Sequence, residues 1–538
     1  MRSSGESPSG EHRPGANGRG AGASRTRSFR SAAWLWGAAS ALMLVSAFQV
    51  FPHVQLWGLA WVAMVPEILL LARGQWRNAL AQTFVFGYPF MLGVLAWVIW
   101  IGYLPWALLS FTQLAYFVIF PGLSAILAPL WRPTATSKDA PVSSWGNHIV
   151  ALLICPAAWV LMEWIRSLGS LSIPWGLLST TQSHFPALVA TAQWWGAYGV
   201  SFLIVMVNCS VASVIARKGR DRVRAALLLS GLIFVIAMAC VAARISTHPN
   251  SGRPLRVALI QGDIFKDDPS RWVYRQHVMG DYSRLSLTAA KSSPDIIVWP
   301  ETVVPGPIAR DIGLQMDVEN LAERTRTCFL VGSPDFAPDG RIYNSAFAVT
   351  GQGIVGRYDK QHLVPYGEYV PGRSWLPFLD RYGVPPTDLT PGVGHAPLRT
   401  PVGSLGVMIC YESMYPQIAR QTANSGAEVL FVVTNDQWFG TSSAPYDHAA
   451  AAAFRAAETG RWVAQAASTG VSFFASPAGV IYQPTVMFTR RIDTGLVYAK
   501  TGETLYGRLG DWPPVASIVI IVLAVIAGLS ARQLKWEG

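Results

Sequence analysis

Gly406-Val-Met-Ile-Cys410-Tyr-Glu-Ser is an apolar run that stops on a cysteine and turns polar at once. Uninterrupted apolar runs of this length read as strands buried on both faces. The residues that follow read as a helix over 413–424, with Ser413 as its cap and Pro416 in its first turn. A cysteine at such a junction is held rigidly beyond the sheet edge. The first N–H groups of the following helix then face it, and they favour both a thiolate and an oxyanion. Taken alone, the same pattern also describes a buried cysteine with no chemistry.

Similar runs surround it. Strands are expected at Arg256–Gly262, Asp295–Pro300, Cys328–Gly332, Asn344–Thr350, Val429–Thr434 and Trp462–Ala467, and further helices at 271–291, 312–326 and 446–459. Strands alternating with helices imply an α/β sandwich. Two of these elements end on reactive side chains. Trp299-Pro300-Glu301-Thr302 places a carboxylate at a strand end, and Tyr358-Asp359-Lys360-Gln361-His362-Leu363 places a lysine just after a glycine-rich turn. A base, a cation and a thiol are the parts acyl transfer needs: the carboxylate takes the thiol proton and the ammonium stabilises the tetrahedral oxyanion. Each also reads as an ordinary surface charge.

The rest of the chain has another character. Of 538 residues 51% are hydrophobic and only 14% charged, against about a quarter charged in soluble domains. Apolar runs long enough to span a bilayer fall at roughly 32–49, 55–72, 82–102, 104–130, 147–166, 193–216, 223–243 and 513–531. This divides the chain into a disordered basic tail (1–30), a seven-helix membrane domain (31–243), a globular domain (244–510), and a last span with a short tail (511–538). The tail carries Arg2, Arg13, Arg19, Arg25, Arg27 and Arg30. Alternate short loops carry Arg73 and Arg77, then Arg132 and Lys138, then Arg217, Lys218, Arg220, Arg222 and Arg224, whereas 167–192 has no Lys, Arg, Asp or Glu. Basic loops stay in the cytoplasm, so both termini are expected there and the globular domain outside. The net charge of +11 is spread between apolar runs rather than gathered on a patch, which argues against nucleic acid. Cys155, Cys209 and Cys240 lie in apolar runs, and no CxxC or Cys/His cluster suggests zinc or a disulfide framework.

The segments WPET, YDKQHLVPYGEYVP and ICYE, in this order, resemble those that carry the Glu–Lys–Cys triad of the nitrilase, or carbon–nitrogen hydrolase, superfamily over 255–490. That resemblance implies an αββα sandwich with Glu301, Lys360 and Cys410 as catalytic residues. Together with the spans, the chain resembles the apolipoprotein N-acyltransferase family. Pro365-Tyr366-Gly367-Glu368-Tyr369-Val370-Pro371 after the lysine, Tyr411-Glu412 after the cysteine, and Pro156-Ala-Ala-Trp-Val-Leu-Met-Glu163-Trp-Ile-Arg166 followed by Ile173-Pro174-Trp175-Gly176 carry this narrower likeness.

It implies a thioester on Cys410, formed from the sn-1 ester of a membrane phospholipid. The thioester is passed to the free amine of a diacylglyceryl-cysteine on an apolipoprotein, with no cofactor and no metal, by a monomer in the inner membrane whose catalytic domain is periplasmic. Glu368, Tyr411 and Glu412 are expected to support the site, Glu412 by orienting Lys360 or tuning its charge. Trp175 and Trp272 are expected to bind substrate; the spacing from Gln261 to Trp272 is longer than the family's. Glu163 and Arg166 read most simply as a helix-stabilising pair. The loop aromatics Trp375, Leu376, Pro377, Phe378, Trp438 and Phe439 read either as lids dipping into the bilayer or as packing. A membrane-tethered amidase acting on a small soluble amide is the nearest rival, distinguishable by its product. A transporter or lipid-binding protein with a degenerate catalytic domain is the other, and the presence of all three triad residues speaks against it.

Overall fold

A computed structural model describes residues 20–48, 56–72, 76–127, 144–169, 171–264, 272–375 and 387–533. The helix Gly20–Ala47 begins within the segment read as a tail, and residues 1–19 lie outside the described set.

Among the described residues twelve strands form two six-stranded sheets. They are β1 (Arg253–Gln261), β2 (Ile296–Val298), β3 (Cys328–Phe336), β4 (Ile342–Thr350), β5 (Gly353–Asp359), β6 (Leu398–Thr400), β7 (Gly403–Ile409), β8 (Val429–Thr434), β9 (Val463–Ala467), β10 (Phe473–Ala475), β11 (Ile481–Tyr482) and β12 (Arg491–Ala499). The orders are β12-β1-β2-β3-β4-β5 and β11-β10-β9-β8-β7-β6. The central pairs β1·β2, β2·β3, β7·β8 and β8·β9 are parallel, as expected of apolar runs covered on both faces. The inner faces meet through Val257, Leu259, Val298, Leu330, Val407 and Phe431. Ile297, Trp299, Phe329 and Val331 point the other way, against Tyr282, Leu314, Val318 and Leu321 of the helices Trp272–Ala289 and Ile312–Thr325. Helices Pro416–Asn424 and Ala444–Thr459 cover the second sheet. The layers are helix, sheet, sheet, helix.

The expected helices are present with ends shifted by a few residues. One cap differs. The chain after Cys410 first makes a tight turn over Cys410–Met414, so the helix starts at Pro416 with Tyr415 as its cap. Ser413 turns back to the Cys410 carbonyl at 3.2 Å instead of capping it.

Among the described residues four helices are long and apolar enough to cross a membrane: Tyr103–Ile126, Ala192–Ala216, Gly219–Ser246 and Trp512–Ser530. Trp34–Ala47, Trp57–Leu71, Ala79–Val94 and Leu152–Ile165 are shorter apolar helices. Phe234, Val235, Val241, Leu523 and Ile526 are more than one-third exposed, a surface suited to lipid and not to water. One buried polar side chain of this domain, Asn208, is satisfied from within it. Asn208 donates to the carbonyls of Ala60 and Ile204 and accepts from the Met64 N–H.

Glu163 and Arg166 are not the simple helix pair that their spacing suggests. Both are buried, and each holds the charge-free loop after the helix. Glu163 Oε1 accepts from Leu178 N at 2.7 Å and Trp159 Nε1 at 2.9 Å. Arg166 donates to the carbonyls of Ile173 (3.1 Å) and Trp175 (2.6 Å) and to Gln113 Oε1 (3.2 Å).

The two domains are joined by polar contacts. The buried pair Arg455–Glu458 (2.7 Å) spans one turn of Ala444–Thr459. Arg455 donates to the Met414 carbonyl at 3.2 Å, while Glu458 accepts from Ala197 N at 2.7 Å. Ala197 follows Gly196, whose φ of +65° breaks the helix there, and a Cβ on Gly196 would meet the Tyr506 ring. A second joint lies at Ser172: its hydroxyl meets His362 Nε2 at 3.0 Å and the Tyr415 hydroxyl at 2.9 Å. The His362 and Tyr415 rings sit 3.9 Å apart.

Two outcomes follow from these joints. Removing one partner of a buried ion pair leaves the other unpaired, at about 3–5 kcal/mol, so Glu458→Ala is expected to lower the melting temperature of the detergent-solubilised protein far more than a surface Glu→Ala change. At His362, burial first and the Lys360 charge second push the imidazole from 6.5 down to about 4. A base depressed in the folded state favours folding above its unfolded value, and that contribution is lost as pH falls from about 6.5 to about 4. It amounts to at most about 3 kcal/mol. The decline in melting temperature over that window is expected to be shallower in His362→Asn; an unchanged slope in the variant would rule out His362 as its source.

Candidate active site

Three strand ends converge. Glu301 lies three residues beyond β2, Lys360 directly after β5, and Cys410 directly after β7 of the other sheet. Gly332 of the neighbouring β3 allows the first approach: a Cβ there would stand 2.4 Å from the Pro300 carbonyl and 2.6 Å from Glu301 Cα. The Lys360 loop is fixed by its own backbone, Lys360 N donating to Asn344 O and Gly392 N to Lys360 O, both at 2.8 Å.

Lys360 is almost wholly buried, with Nζ 2.8 Å from Glu368 Oε1 and 3.5 Å from Glu301 Oε1. Asn344 Nδ2 bridges the same two carboxylates at 2.7 Å to Glu301 and 3.2 Å to Glu368. Glu301 Oε2 accepts from Asn435 N at 2.8 Å, and Glu368 Oε2 from Val364 N at 2.8 Å. Burial alone would lower the Lys360 pKa, but Glu368, Glu301 and the Cys410 sulfur outweigh it and hold the ammonium charged well above its usual range. The Cys410 thiol is pushed up, by burial above all and by Glu301 and Asp436, with Lys360 and Thr434 opposing. The resting site therefore holds a thiol, and a base is needed to make it a nucleophile.

Glu412 is wholly buried and makes no direct bond to Lys360; it reaches the lysine through the backbone that follows it. Its Oε1 accepts from Gln361 N (2.7 Å) and His362 N (3.1 Å), its Oε2 from Ile409 N (2.7 Å), and both oxygens lie 3.0 Å from the Tyr358 hydroxyl. It thus ties the lysine loop of one sheet to the cysteine strand of the other. Burial raises its pKa from 4.5 to about 7, against the pull of those N–H groups and Lys360. The carboxylate that bonds Lys360 besides Glu301 is Glu368.

Tyr411 stacks on Trp175 at 6.3 Å with ring planes 10° apart. Trp175 in turn meets Trp97 at 5.0 Å and Phe439 at 5.5 Å. The expected substrate residue Trp175 is therefore beside the cysteine, on the loop that Arg166 holds. The buried indole nitrogens of Trp97 and Trp175 have no hydrogen-bond partner among the described residues. Trp272 opens the helix Trp272–Ala289, and its side chain lies outside the described residues. Of the loop aromatics, Phe439 is packed, Trp375 and Trp438 are 87% and 63% exposed, and Leu376, Pro377 and Phe378 lie outside the described residues.

Sequence reasoning passed over Asn344, Asn435, Asp436 and His448. Each is a buried polar residue inside or directly after an apolar element, and that contrast was the available signal.

Residues 256–495 match the carbon-nitrogen hydrolase family, and residues 40–210 match the apolipoprotein N-acyltransferase N-terminal domain. The apolipoprotein N-acyltransferase of Geobacter metallireducens is 33% identical over 507 residues, 90% of this chain and 93% of that one. That of Methylococcus capsulatus is 33% identical over 473 residues, 85% and 90% of the two chains. Among solved structures, a carbon-nitrogen hydrolase from Helicobacter pylori is 18% identical with a TM-score of 0.37, covering 45% of this chain and 89% of its own. With one-third identity along nearly the whole length of such relatives and matches in both domains, the chain belongs to the apolipoprotein N-acyltransferase family.

Proposed function

We propose that the protein moves an acyl chain from the sn-1 ester of a membrane phospholipid to the α-amino group of a diacylglyceryl-cysteine at an apolipoprotein N-terminus, through a thioester on Cys410. The observation that carries this reading is the buried ammonium of Lys360, held between Glu301 and Glu368 where the ends of β5 and β7 bring it beside Cys410. Glu301 takes the thiol proton as sulfur adds to the ester carbonyl. The oxyanion is held by Lys360 and a backbone N–H. Collapse breaks the carbon–oxygen bond, and Glu301 returns the proton to the departing lysophospholipid alkoxide. The amine then adds to the thioester and gives up its proton, and the cysteine sulfur leaves and is reprotonated. Ester to thioester to amide ends on the most stable bond, so no nucleotide is consumed. Tyr411 and Trp175, with the unpaired indole N–H groups of Trp97 and Trp175, offer an apolar wall with polar points beside the thiol, suited to an acyl ester. Trp272 is kept as a substrate contact by resemblance alone.

The same reading takes the four long and four shorter apolar helices as eight spans. The loop charges support a topology with both termini in the cytoplasm and residues 244–510 on the periplasmic side of the inner membrane, and the reading takes a monomer as the working unit. Exposed Trp375 and Trp438 are placed at the interface, where indoles are favoured.

Two measurements test this. On incubation with phospholipid, intact mass of the wild type is expected to rise by one acyl chain that hydroxylamine removes; acylation surviving in Cys410→Ala would sink the nucleophile assignment. In Glu368→Gln, the loss of the nearest counter-charge leaves burial to pull the Lys360 pKa down. The alkaline limb of the acylation rate is then expected at lower pH than in wild type, with the rate at neutral pH reduced about tenfold or more. An unshifted limb would remove Glu368 from the support of Lys360.

A further inference from the structure

Cys410 has a φ of +53°, a left-handed conformation that a residue with a Cβ rarely adopts. Its carbonyl is caught by His448, which is fully buried on the helix Ala444–Thr459, with Nε2 2.8 Å from Cys410 O. A carbonyl oxygen only accepts, so Nε2 is the nitrogen that carries the proton. The ring is held on its other sides as well. Nδ1 stands 3.5 Å from Asp436 Oδ1 without a hydrogen bond between them, and that oxygen accepts from the Thr434 hydroxyl at 2.7 Å. Trp175 and Phe439 sit against the imidazole at 6.5 and 6.4 Å.

In a trans peptide the C=O of one residue and the N–H of the next point in opposite directions. The groups that fix the Cys410 carbonyl, His448 at 2.8 Å and the Ser413 hydroxyl at 3.2 Å, therefore fix the aim of the Tyr411 N–H. Tyr411 is the second residue of the turn Cys410–Met414, where N–H groups have no acceptor within the turn. We propose that His448, packed against Trp175 and Phe439, is a positioning residue that aims the Tyr411 N–H at the oxyanion formed on an acyl carbon attached to Cys410. This rests on Cys410 being the acylated residue, and it adds a function for a buried histidine that the transfer steps do not use.

The test compares His448→Gln, whose amide nitrogen reaches the place of Nε2, with His448→Met, of similar size and without a donor. Full-length protein in phospholipid micelles is scored per folded molecule by thermal melting. Two rates are read at Cys410: acylation by phospholipid, and alkylation by iodoacetamide, a displacement at carbon that forms no oxyanion. Losing one oxyanion donor costs about 10²–10³ in rate. His448→Met is accordingly expected to slow acylation at least about tenfold, with the KM for phospholipid within about twofold and alkylation unchanged, whereas His448→Gln stays within about threefold of wild type. Acylation and alkylation falling together in His448→Met, acylation persisting in it at the wild-type rate, or His448→Gln losing as much acylation as His448→Met would each overturn the inference. A wild-type protein that is alkylated at Cys410 but never acylated there would overturn the assignment of the nucleophile, and the inference with it.

Discussion

The structure depends on keeping one ammonium group charged out of water. A lysine buried to this degree would ordinarily shed its proton. Lys360 keeps it because Glu368 and Glu301 stand at 2.8 and 3.5 Å. Three charges in a small buried volume are themselves costly, and they persist only where the remaining lone pairs are satisfied. Asn344, Asn435 N and Val364 N do this. The carboxylates thus come from different segments, Glu301 from just beyond β2 and Glu368 from the turn over 364–369, and their positions are set by backbone groups that cannot swing away. The sandwich is the frame that such an arrangement requires.

Glu412 extends the logic across the gap between sheets. Lys360 and Cys410 belong to different sheets, and side-chain packing alone would leave their spacing soft. A single carboxylate that accepts from the N–H groups on both sides converts that spacing into hydrogen-bond geometry. The membrane domain joins the same network through Ser172, which bonds His362 and Tyr415, and through Glu458, which takes the Ala197 N–H. The loop bearing Ser172 and Trp175 contains no charge of its own. It is ordered instead by Glu163 and Arg166 reaching up from the helix before it.

What the sequence made legible follows from how each feature is encoded. β7, β8 and β9 were readable because continuous apolar runs have few other meanings. β5, β6, β10, β11 and β12 were not: they are short, or lie at sheet edges where exposed and buried residues mix, as Arg491–Ala499 does. Glu301, Lys360 and Cys410 stood out because each ends an element, and the fold brings those ends together. The partners of Lys360 were harder to assign. Glu412 adjoins the cysteine in sequence, yet Glu368 makes the bond, since a turn over 364–369 folds that side chain back onto the lysine. Glu163 and Arg166 misled for the opposite reason. Their spacing invites pairing, but buried in an apolar domain each bonds backbone groups of the loop that follows the helix.

His448 shows the limit most clearly. In the run Asp447-His448-Ala-Ala-Ala-Ala-Ala-Phe454 it is one polar residue on a small-residue helix, and no local pattern marks it as special. The alanines are the informative part. They let the helix lie close to β9 and to the membrane helix Ala192–Ala216, which brings an imidazole of fixed length within 2.8 Å of the Cys410 carbonyl. Small residues there set the distance, and the distance decides whether the ring can hold the peptide behind the cysteine. A position of this kind is defined by three-dimensional spacing between elements remote in sequence. It becomes visible only once the sheet, the turn after Cys410 and the covering helix are in place together.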